Sequence, residues 1–514
     1  MHKILQKLEA LSCRKLHWMA VGLSILIATQ VQYIQHGWTN PDSVLYLEAA
    51  KLFTQGAWQA GFDVFSWPFY ALCIAFISKI SLFNVHLSAQ ILNVLFFSIA
   101  TYSFIQIIQL AGGKQRQMIA GALIWLSAQY MIGGVLEMLM RDEGFWAFYL
   151  SSLVFFIRYY QQHQFKDALL WQVSIIVATL FRIEAILYLV FLPFILLFQT
   201  GFNAKQKWKN LLLANAINIS LALVIICVFA FNNALSTKLL GRLNEVFTTN
   251  LWQQFIQHLN EKSSIMSNQV LGEYLNEFAV PGLLMTFLYV ICVRIISSTG
   301  LIIVGLSAFA IKGREHLFNQ QAFQVLSATA MIALLNMTLI ITKVFVLSGR
   351  YVLALSFILM VFAAFYFAEL LFNDNQNKKA KWLVLALIVF MLGGAVKNVF
   401  PKKQGYNYMQ DAVAWVSADN LENKPVFYDQ ARMRYYAGAQ FIGTFDDHFT
   451  YLETMIANKS IDNHHYILVE SSNKDKRVKM LIESRLPQYK LIKQFKNAKA
   501  TKSVLIYVKK KNND

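Results

Sequence analysis

Long apolar runs recur along the first 400 residues, and they constrain the fold of this 514-residue chain more than any other feature. The chain is 57% hydrophobic and only 14% charged, whereas about a quarter of the residues in a soluble protein are charged. A helix of about 20 apolar residues spans the hydrocarbon core of a bilayer. The sequence therefore predicts a polytopic α-helical membrane protein.

The apolar runs give about eleven predicted spans. They cover residues 17–34, 84–110, 117–132, 145–158, 169–181, 184–197, 211–231, 283–311, 322–341, 351–372 and 382–399. Residues 67–80 are also apolar, but a span there would move every later basic loop to the outside and abolish the positive-inside pattern. We therefore predict a re-entrant or interfacial segment at 67–80, a cytoplasmic amino terminus and an extracytoplasmic carboxyl terminus.

The composition changes after residue 399, and this change predicts two domains. A transmembrane module covers 1–399, with a first outer loop at 36–68 and a long, amphipathic outer loop at 232–282. Residues 400–514 form a small extracytoplasmic α/β domain, with strands at 424–429, 464–471, 488–495 and 502–510 and helices at 411–421 and 475–486. The net charge of +18 lies largely in short loops and in the tail, so it does not indicate nucleic-acid binding.

The polar stretch after the first span carries the first candidate for chemistry. Asn40 and Pro41 are typical of a helix start. The spacing of Asp42, Tyr46 and Ala49 then places a carboxylate, a phenol and a small residue on one helical face. Asp42 is therefore a candidate catalytic residue at the outer edge of the bilayer. The alternative is that Asp42 only caps the helix.

A second set of ionisable residues lies at the outer ends of later spans. It comprises Arg141, Asp142, Glu143, Arg182, Glu184, Lys343 and Arg350, the last followed by Tyr351. Ionisable groups at membrane depth are costly and are usually paired or functional. Arg182 and Glu184 have the alternative of pairing with each other, and Lys343 and Arg350 that of extending to the interface. Taken together, the set indicates an anionic partner and acid–base chemistry.

A sugar carried on a lipid phosphate fits this arrangement. The phosphate leaves as a stable anion, so arginines that grip its oxygens stabilise the developing charge. A carboxylate then takes the proton from the acceptor hydroxyl. The lipid tail explains a site at the edge of the bilayer.

The ordered motifs resemble those of the GT-C superfamily of integral-membrane glycosyltransferases. The similarity is greatest to the bacterial branch of protein O-mannosyltransferases and of aminoarabinose or galacturonic acid transferases. The matching pieces are Asp42-x-x-x-Tyr46-x-x-Ala49, Trp67-Pro68, Arg141-Asp142-Glu143, Arg182-x-Glu184, Arg350-Tyr351 and the α/β domain after the last span.

The resemblance implies an inverting transfer from a polyprenyl-phosphate sugar to a cell-envelope acceptor in the bacterial cytoplasmic membrane. It implies that Asp42 is the base and that Asp142 or Glu143 is a second catalytic acid. The substrate-binding residues would be Tyr46, Arg141, Arg182, Lys343, Arg350 and Tyr351. Many family members have Asp-Glu in the first loop, whereas Ser43 follows Asp42 here. A divalent metal is left open, since no His/Cys cluster with zinc spacing is present and no cofactor is indicated.

Two other classes stay open. A ligase or polymerase acting on lipid-linked glycans would depend on the long outer loop, with Arg242, His258 and Lys262. A transporter or flippase of lipid-linked sugars would need polar residues near mid-bilayer, and such proteins often contain internal repeats.

Overall fold

The computed structural model describes residues 2–231, 251–373, 378–401, 403–443 and 448–510. The predicted loop residues 232–250, which include Arg242, lie outside this range. Helices up to residue 214 are His2–Glu9, Cys13–Tyr33, Pro41–Thr54, Trp58–Val64, Phe69–Ser81, Val85–Leu110, Gln115–Leu126, the π-helix Met131–Val135, Asp142–Gln162, Phe165–Phe181, the 3₁₀ helix Ile183–Ala185, Ile186–Phe191, the 3₁₀ helix Leu192–Phe198 and Ala204–Ala214.

The helices between residues 216 and 399 complete the apolar part of the chain. They are Ala216–Phe231, Leu251–Met266, the π-helix Ser267–Leu271, the 3₁₀ helix Glu273–Phe278, Ala279–Thr299, Leu301–Lys312, Arg314–Leu317, Gln320–Val344, Gly349–Leu371 and Lys378–Val399.

Five helices of the described residues are long and apolar enough to cross a membrane. They are Val85–Leu110, Gln115–Val135, Tyr274–Thr299, Gln320–Val344 and Gly349–Leu371. Shorter apolar helices accompany them, so the chain is a multi-pass α-helical membrane protein. The count of about eleven spans stays a prediction.

Several predicted spans are interrupted. The span expected at 283–311 is two helices joined at Gly300, whose φ of 94° lies in the left-handed region that favours glycine. The span expected at 184–197 consists of short α and 3₁₀ pieces, and Pro193 in the last of them lacks the backbone N–H that an α-helix needs. A break at Asn215 likewise divides the span expected at 211–231.

The chain divides into two compact units. The first comprises Met1–Thr29, Ile91–Leu136 and Arg141–Asn398, and the second comprises Gln30–Gln90, Glu137–Met140 and Val399–Asp514. The second unit thus joins the first outer loop to the carboxyl-terminal residues, whereas the sequence predicted a division at residue 399 alone.

The first unit is built around helix Gly349–Leu371. This helix packs against Gln115–Leu126, Ala279–Thr299, Leu301–Lys312 and Gln320–Val344. A side chain at Gly349 would bring its Cβ within 2.5 Å of the Tyr130 hydroxyl and 2.6 Å of the Ser298 hydroxyl. Any larger residue at this position would therefore force the Tyr130 or Ser298 side chain to shift.

The second unit contains a four-stranded sheet in the order β1-β2-β4-β3. Its strands are β1 Val426–Tyr428, β2 Tyr466–Ser472, β3 Tyr489–Lys496 and β4 Lys502–Lys509. β1 pairs parallel with β2, and the other two pairs are antiparallel. Each strand overlaps one of the four predicted segments, and β2 and β3 each extend one residue beyond theirs. The edge strand β3 carries lysines and a bulge between Leu491 and Lys493, which discourage pairing with another chain.

Five helices accompany the sheet in the described parts of residues 403–510. They are Tyr408–Asp419, Ala431–Tyr436, His448–Ala457, the 3₁₀ helix Ser460–Asn463 and Arg477–Arg485. One sheet face packs against Tyr408–Asp419, and the other packs apolar side chains of His448–Ala457 and Arg477–Arg485.

Direct contacts join the first outer loop to the carboxyl-terminal residues within the second unit. The backbone N–H of Thr39 donates to the Tyr436 hydroxyl at 2.9 Å. The Asn407 amide donates to the Gln35 carbonyl at 3.0 Å. Loop and sheet therefore lie on one side of the membrane, so an even number of crossings separates them.

The segment predicted to be re-entrant or interfacial is the helix Phe69–Ser81, which also belongs to the second unit. Its 13 residues extend about 20 Å, which is shorter than the hydrocarbon core of about 30 Å. The helix ends at Leu82, whose φ is 60°. It is therefore too short to cross the bilayer alone.

Candidate active site

Asp142 lies between two arginines from distant parts of the chain. Its Oδ1 accepts a hydrogen bond from Nη1 of Arg182, and its Oδ2 lies 3.8 Å from Nη1 of Arg350. The side chains of Asp142 and Arg182 are 2% and 6% exposed, whereas that of Arg350 is 26% exposed. The structure thus brings together three residues that the sequence separates by 40 and 168 positions.

Local structure explains how Asp142 reaches Arg182. Asp142 begins the helix Asp142–Gln162, where a carboxylate is favoured by the helix dipole. That helix ends at His163, and Phe165–Phe181 returns along it with Arg182 as its carboxyl-terminal cap. Because the two helices are antiparallel and similar in length, Asp142 and Arg182 lie at the same end.

Arg182 is fully engaged within this cluster. Its Nε and Nη2 donate to the two oxygens of Glu184, both at 3.4 Å. Its guanidinium carbon lies 4.5 Å from the centre of the Tyr351 ring, a favourable cation–π distance. Two carboxylates and one ring therefore hold Arg182 in place. Of the two arginines predicted to contact the substrate, Arg350 is the more exposed.

Two further predicted residues lie at this cluster. Arg141 is 9% exposed and within electrostatic range of Glu184. Glu143 is completely buried, and neither of its carboxylate oxygens has a hydrogen-bond partner among the described residues. An unsatisfied carboxyl group in this environment is costly.

The sequence reading missed Tyr130 and Arg294. The Tyr130 hydroxyl hydrogen-bonds to Ser348 and lies within electrostatic range of Arg350, Asp142 and Arg294. Arg294 is exposed on the helix Ala279–Thr299. Arg294 could have been found from the sequence, because it lies inside an apolar run. An arginine in such a run usually faces a polar cavity or a partner. Tyr130 gave no comparable signal.

Asp42 lies in the second compact unit, in the first turn of the helix Pro41–Thr54. The side chain of Asn40 caps this helix by accepting from the backbone N–H of Asp42 at 2.9 Å. The capping alternative for Asp42 is therefore wrong, because Asn40 fills that position. The Asp42 side chain is half-buried.

Tyr46 and Lys343 have different surroundings. Tyr46 is 4% exposed, and its ring meets Phe65 and Tyr70 edge-on at 5.0 and 5.4 Å. This burial gives Tyr46 a packing role and does not favour the predicted sugar contact. Lys343 is exposed in the last turn of the helix Gln320–Val344. No group of three His, Cys, Asp or Glu side chains that could hold a metal ion is found in the described ranges.

Comparison with solved structures decides the fold. The crystal structure of ArnT from Cupriavidus metallidurans bound to undecaprenyl phosphate matches with a TM-score of 0.55 at 13% identity. The match covers 95% of this chain and 97% of that one. The chain has the GT-C fold. This confirms the fold expected from the ordered motifs.

A second solved structure agrees. The mycobacterial arabinofuranosyltransferase AftD, in a mutant form, matches the GT-C fold of this chain with a TM-score of 0.50 at 13% identity. The match covers 97% of this chain and 42% of AftD. No protein-family model and no curated protein matches the sequence.

Proposed function

We propose that this GT-C chain is a glycosyltransferase that moves a sugar from a polyprenyl-phosphate donor to a cell-envelope acceptor on the extracytoplasmic side of the bacterial cytoplasmic membrane. The observation that carries the proposal is the state of Arg350. The Arg182 side chain is 6% exposed and donates to Asp142 and Glu184, whereas the Arg350 side chain is 26% exposed. A partly exposed guanidinium held beside a buried carboxylate is suited to bind a phosphate.

The proposed reaction is a single inverting displacement. The acceptor oxygen attacks the anomeric carbon while the bond from that carbon to the phosphate oxygen breaks. Asp42 takes the acceptor proton, and the lipid phosphate leaves with the bonding electrons as polyprenyl phosphate. Arg350 stabilises the charge that develops on the leaving phosphate. Asp142 keeps Arg350 and Arg182 in position, and a catalytic role for Asp142 or Glu143 stays a prediction.

Comparison of cell envelopes tests this proposal. Mass spectrometry of envelope glycans, lipids and proteins from cells with and without the chain should reveal one missing sugar increment in one acceptor. Re-expression of the wild-type chain should restore the increment, and an Arg350→Met chain present at the same level should not. Identical envelopes in all strains would refute the proposal.

A further inference from the structure

The hydroxyl of Tyr436 holds a residue that lies just before Asp42 in the chain. It accepts hydrogen bonds from the backbone N–H and from the side-chain hydroxyl of Thr39, at 2.9 and 3.1 Å. Thr39 is completely buried, so no water can replace this hydroxyl if it is removed. Tyr436 therefore fixes the backbone at the entry to the helix Pro41–Thr54.

The chain between Thr39 and Asp42 is stiff. Asn40 has an extended backbone, and its side chain caps the helix by accepting from the backbone N–H of Asp42 at 2.9 Å. Pro41 is the first helical residue, and its ring fixes φ at about −65°. A displacement of Thr39 is therefore passed on to Asp42 with little loss.

The ring of Tyr436 is anchored in the α/β domain. It packs against a buried apolar cluster that includes Val413, Leu468 and Ile506. These side chains come from the helix Tyr408–Asp419 and from strands β2 and β4. A rigid aromatic ring thus carries the hydroxyl from the core of the sheet to the first outer loop, all within the second compact unit.

Two methionines also contact the start of this helix, through weaker bonds. The Asn40 amide donates to the sulfur of Met138 at 3.2 Å, and the Ser43 hydroxyl lies 3.9 Å from the sulfur of Met140. Thioether sulfur is a weak hydrogen-bond acceptor. The pair of bonds to the Tyr436 hydroxyl is therefore a stronger restraint than these two contacts.

We infer that Tyr436 is a positioning residue for Asp42 and holds its carboxylate where the acceptor hydroxyl has to meet it. The inference rests on the proposed function, in which Asp42 is the base. A displacement of about 1 Å in an active site can reduce the rate by about 100-fold. The α/β domain is then a working part of the active site, because its core determines the position of the base.

A matched pair of substitutions tests this role. Tyr435 and Tyr436 are adjacent on the helix Ala431–Tyr436, but the Tyr435 hydroxyl lies 3.1 Å from Nδ1 of His86 instead. Tyr436→Phe should lower kcat by about 10- to 100-fold and leave KM for the donor within about twofold, because Arg350 still holds the phosphate. Tyr435→Phe should leave both constants within about twofold. Equal kcat values for the two variants, with normal transfer by the wild type, would overturn the positioning role and leave the proposed function intact.

A double variant provides a stricter readout. Thr39→Ala removes one of the two hydrogen bonds and keeps the backbone N–H, so it should lower kcat less than Tyr436→Phe does. Thr39→Ala should cause no further loss in the Tyr436→Phe chain, because both bonds end at the same hydroxyl. Independent losses that multiply in the double variant would contradict the inference.

Hydrogen exchange tests the same restraint without sugar transfer. The backbone amides of residues 39–46 should exchange faster in Tyr436→Phe than in the wild type, and they should keep the wild-type rate in Tyr435→Phe. Unchanged exchange in Tyr436→Phe would overturn the inference. If the wild type transferred no sugar, faster exchange in Tyr436→Phe would support the hold of Tyr436 on the start of this helix, while the proposed function would be refuted.

Discussion

Replacement of Arg182 provides a quantitative test of the buried ion-pair cluster. The Arg182 side chain is 6% exposed and forms ion pairs with Asp142 and Glu184, whose side chains are 2% and 16% exposed. Arg182→Met leaves both carboxylates without this partner. Removal of one member of a buried pair costs about 3–5 kcal/mol. At about 2 °C per kcal/mol for a large chain, the apparent unfolding temperature should fall by about 6–10 °C.

The same substitution at an exposed ion pair provides the control. Arg116 contacts Glu9 at 2.6 Å, and the two side chains are 50% and 34% exposed. Such a pair contributes about 0–1 kcal/mol, so Arg116→Met should shift the unfolding temperature by at most about 2 °C. The assay is thermal unfolding of the full chain in detergent, followed by tryptophan fluorescence.

A double substitution separates loss of charge balance from loss of packing. Asp142→Asn combined with Arg182→Met removes one buried carboxylate together with its partner, so the double variant should unfold at a higher temperature than Arg182→Met alone. Equal unfolding temperatures for Arg182→Met and Arg116→Met would refute the assignment of Arg182 as the centre of a buried cluster.

Three further predictions follow from the site and the sheet. Asp42→Asn should reduce transfer by about 100-fold or more with an unchanged unfolding temperature, since another residue caps that helix; normal transfer would exclude Asp42 as the base. Gly349→Ala should destabilise the chain by about 1–3 kcal/mol, because its Cβ would meet two hydroxyl oxygens at 2.5 and 2.6 Å; unchanged denaturant stability would contradict that packing. Burial raises the pKa of Asp429 well above its usual range, although a hydrogen bond from the backbone N–H of Glu470 opposes the shift. The stability that neutral Asp429 contributes is fully present below the unfolded pKa and is lost as pH rises towards the folded pKa. As the pH rises from about 5 to about 8, the unfolding temperature of Asp429→Asn should therefore rise relative to that of the wild type. The same difference between the two unfolding temperatures at both pH values would contradict this.

The sequence allowed the charged cluster to be predicted because an ionisable residue in an apolar context is costly without a partner. Arg141, Asp142, Arg182 and Arg350 were identified in this way, and the structure gathers all four. The different roles of these four residues could not be predicted. Arg182 is buried and Arg350 is partly exposed because of distances between helices that are far apart in sequence.

Helix breaks and long-range contacts could also not be predicted from the sequence. Apolar composition predicts a continuous span at 283–311, since the single Gly300 is tolerated in many membrane helices. Its break follows from the left-handed conformation at that residue. Likewise, strand patterns located the sheet, but nothing in them indicated that Tyr436 would bond to Thr39 of the first outer loop.

Transfer by the purified chain is the most direct test of the central claim. The full-length protein in detergent is incubated with a polyprenyl phosphate that carries a labelled sugar and with an envelope extract as acceptor. The wild type should move the label into the extract and release polyprenyl phosphate in equal amount, and Arg350→Met should lower kcat/KM for the donor by about 10- to 100-fold. Absence of transfer by the wild type, or an unchanged kcat/KM in Arg350→Met, would contradict the account.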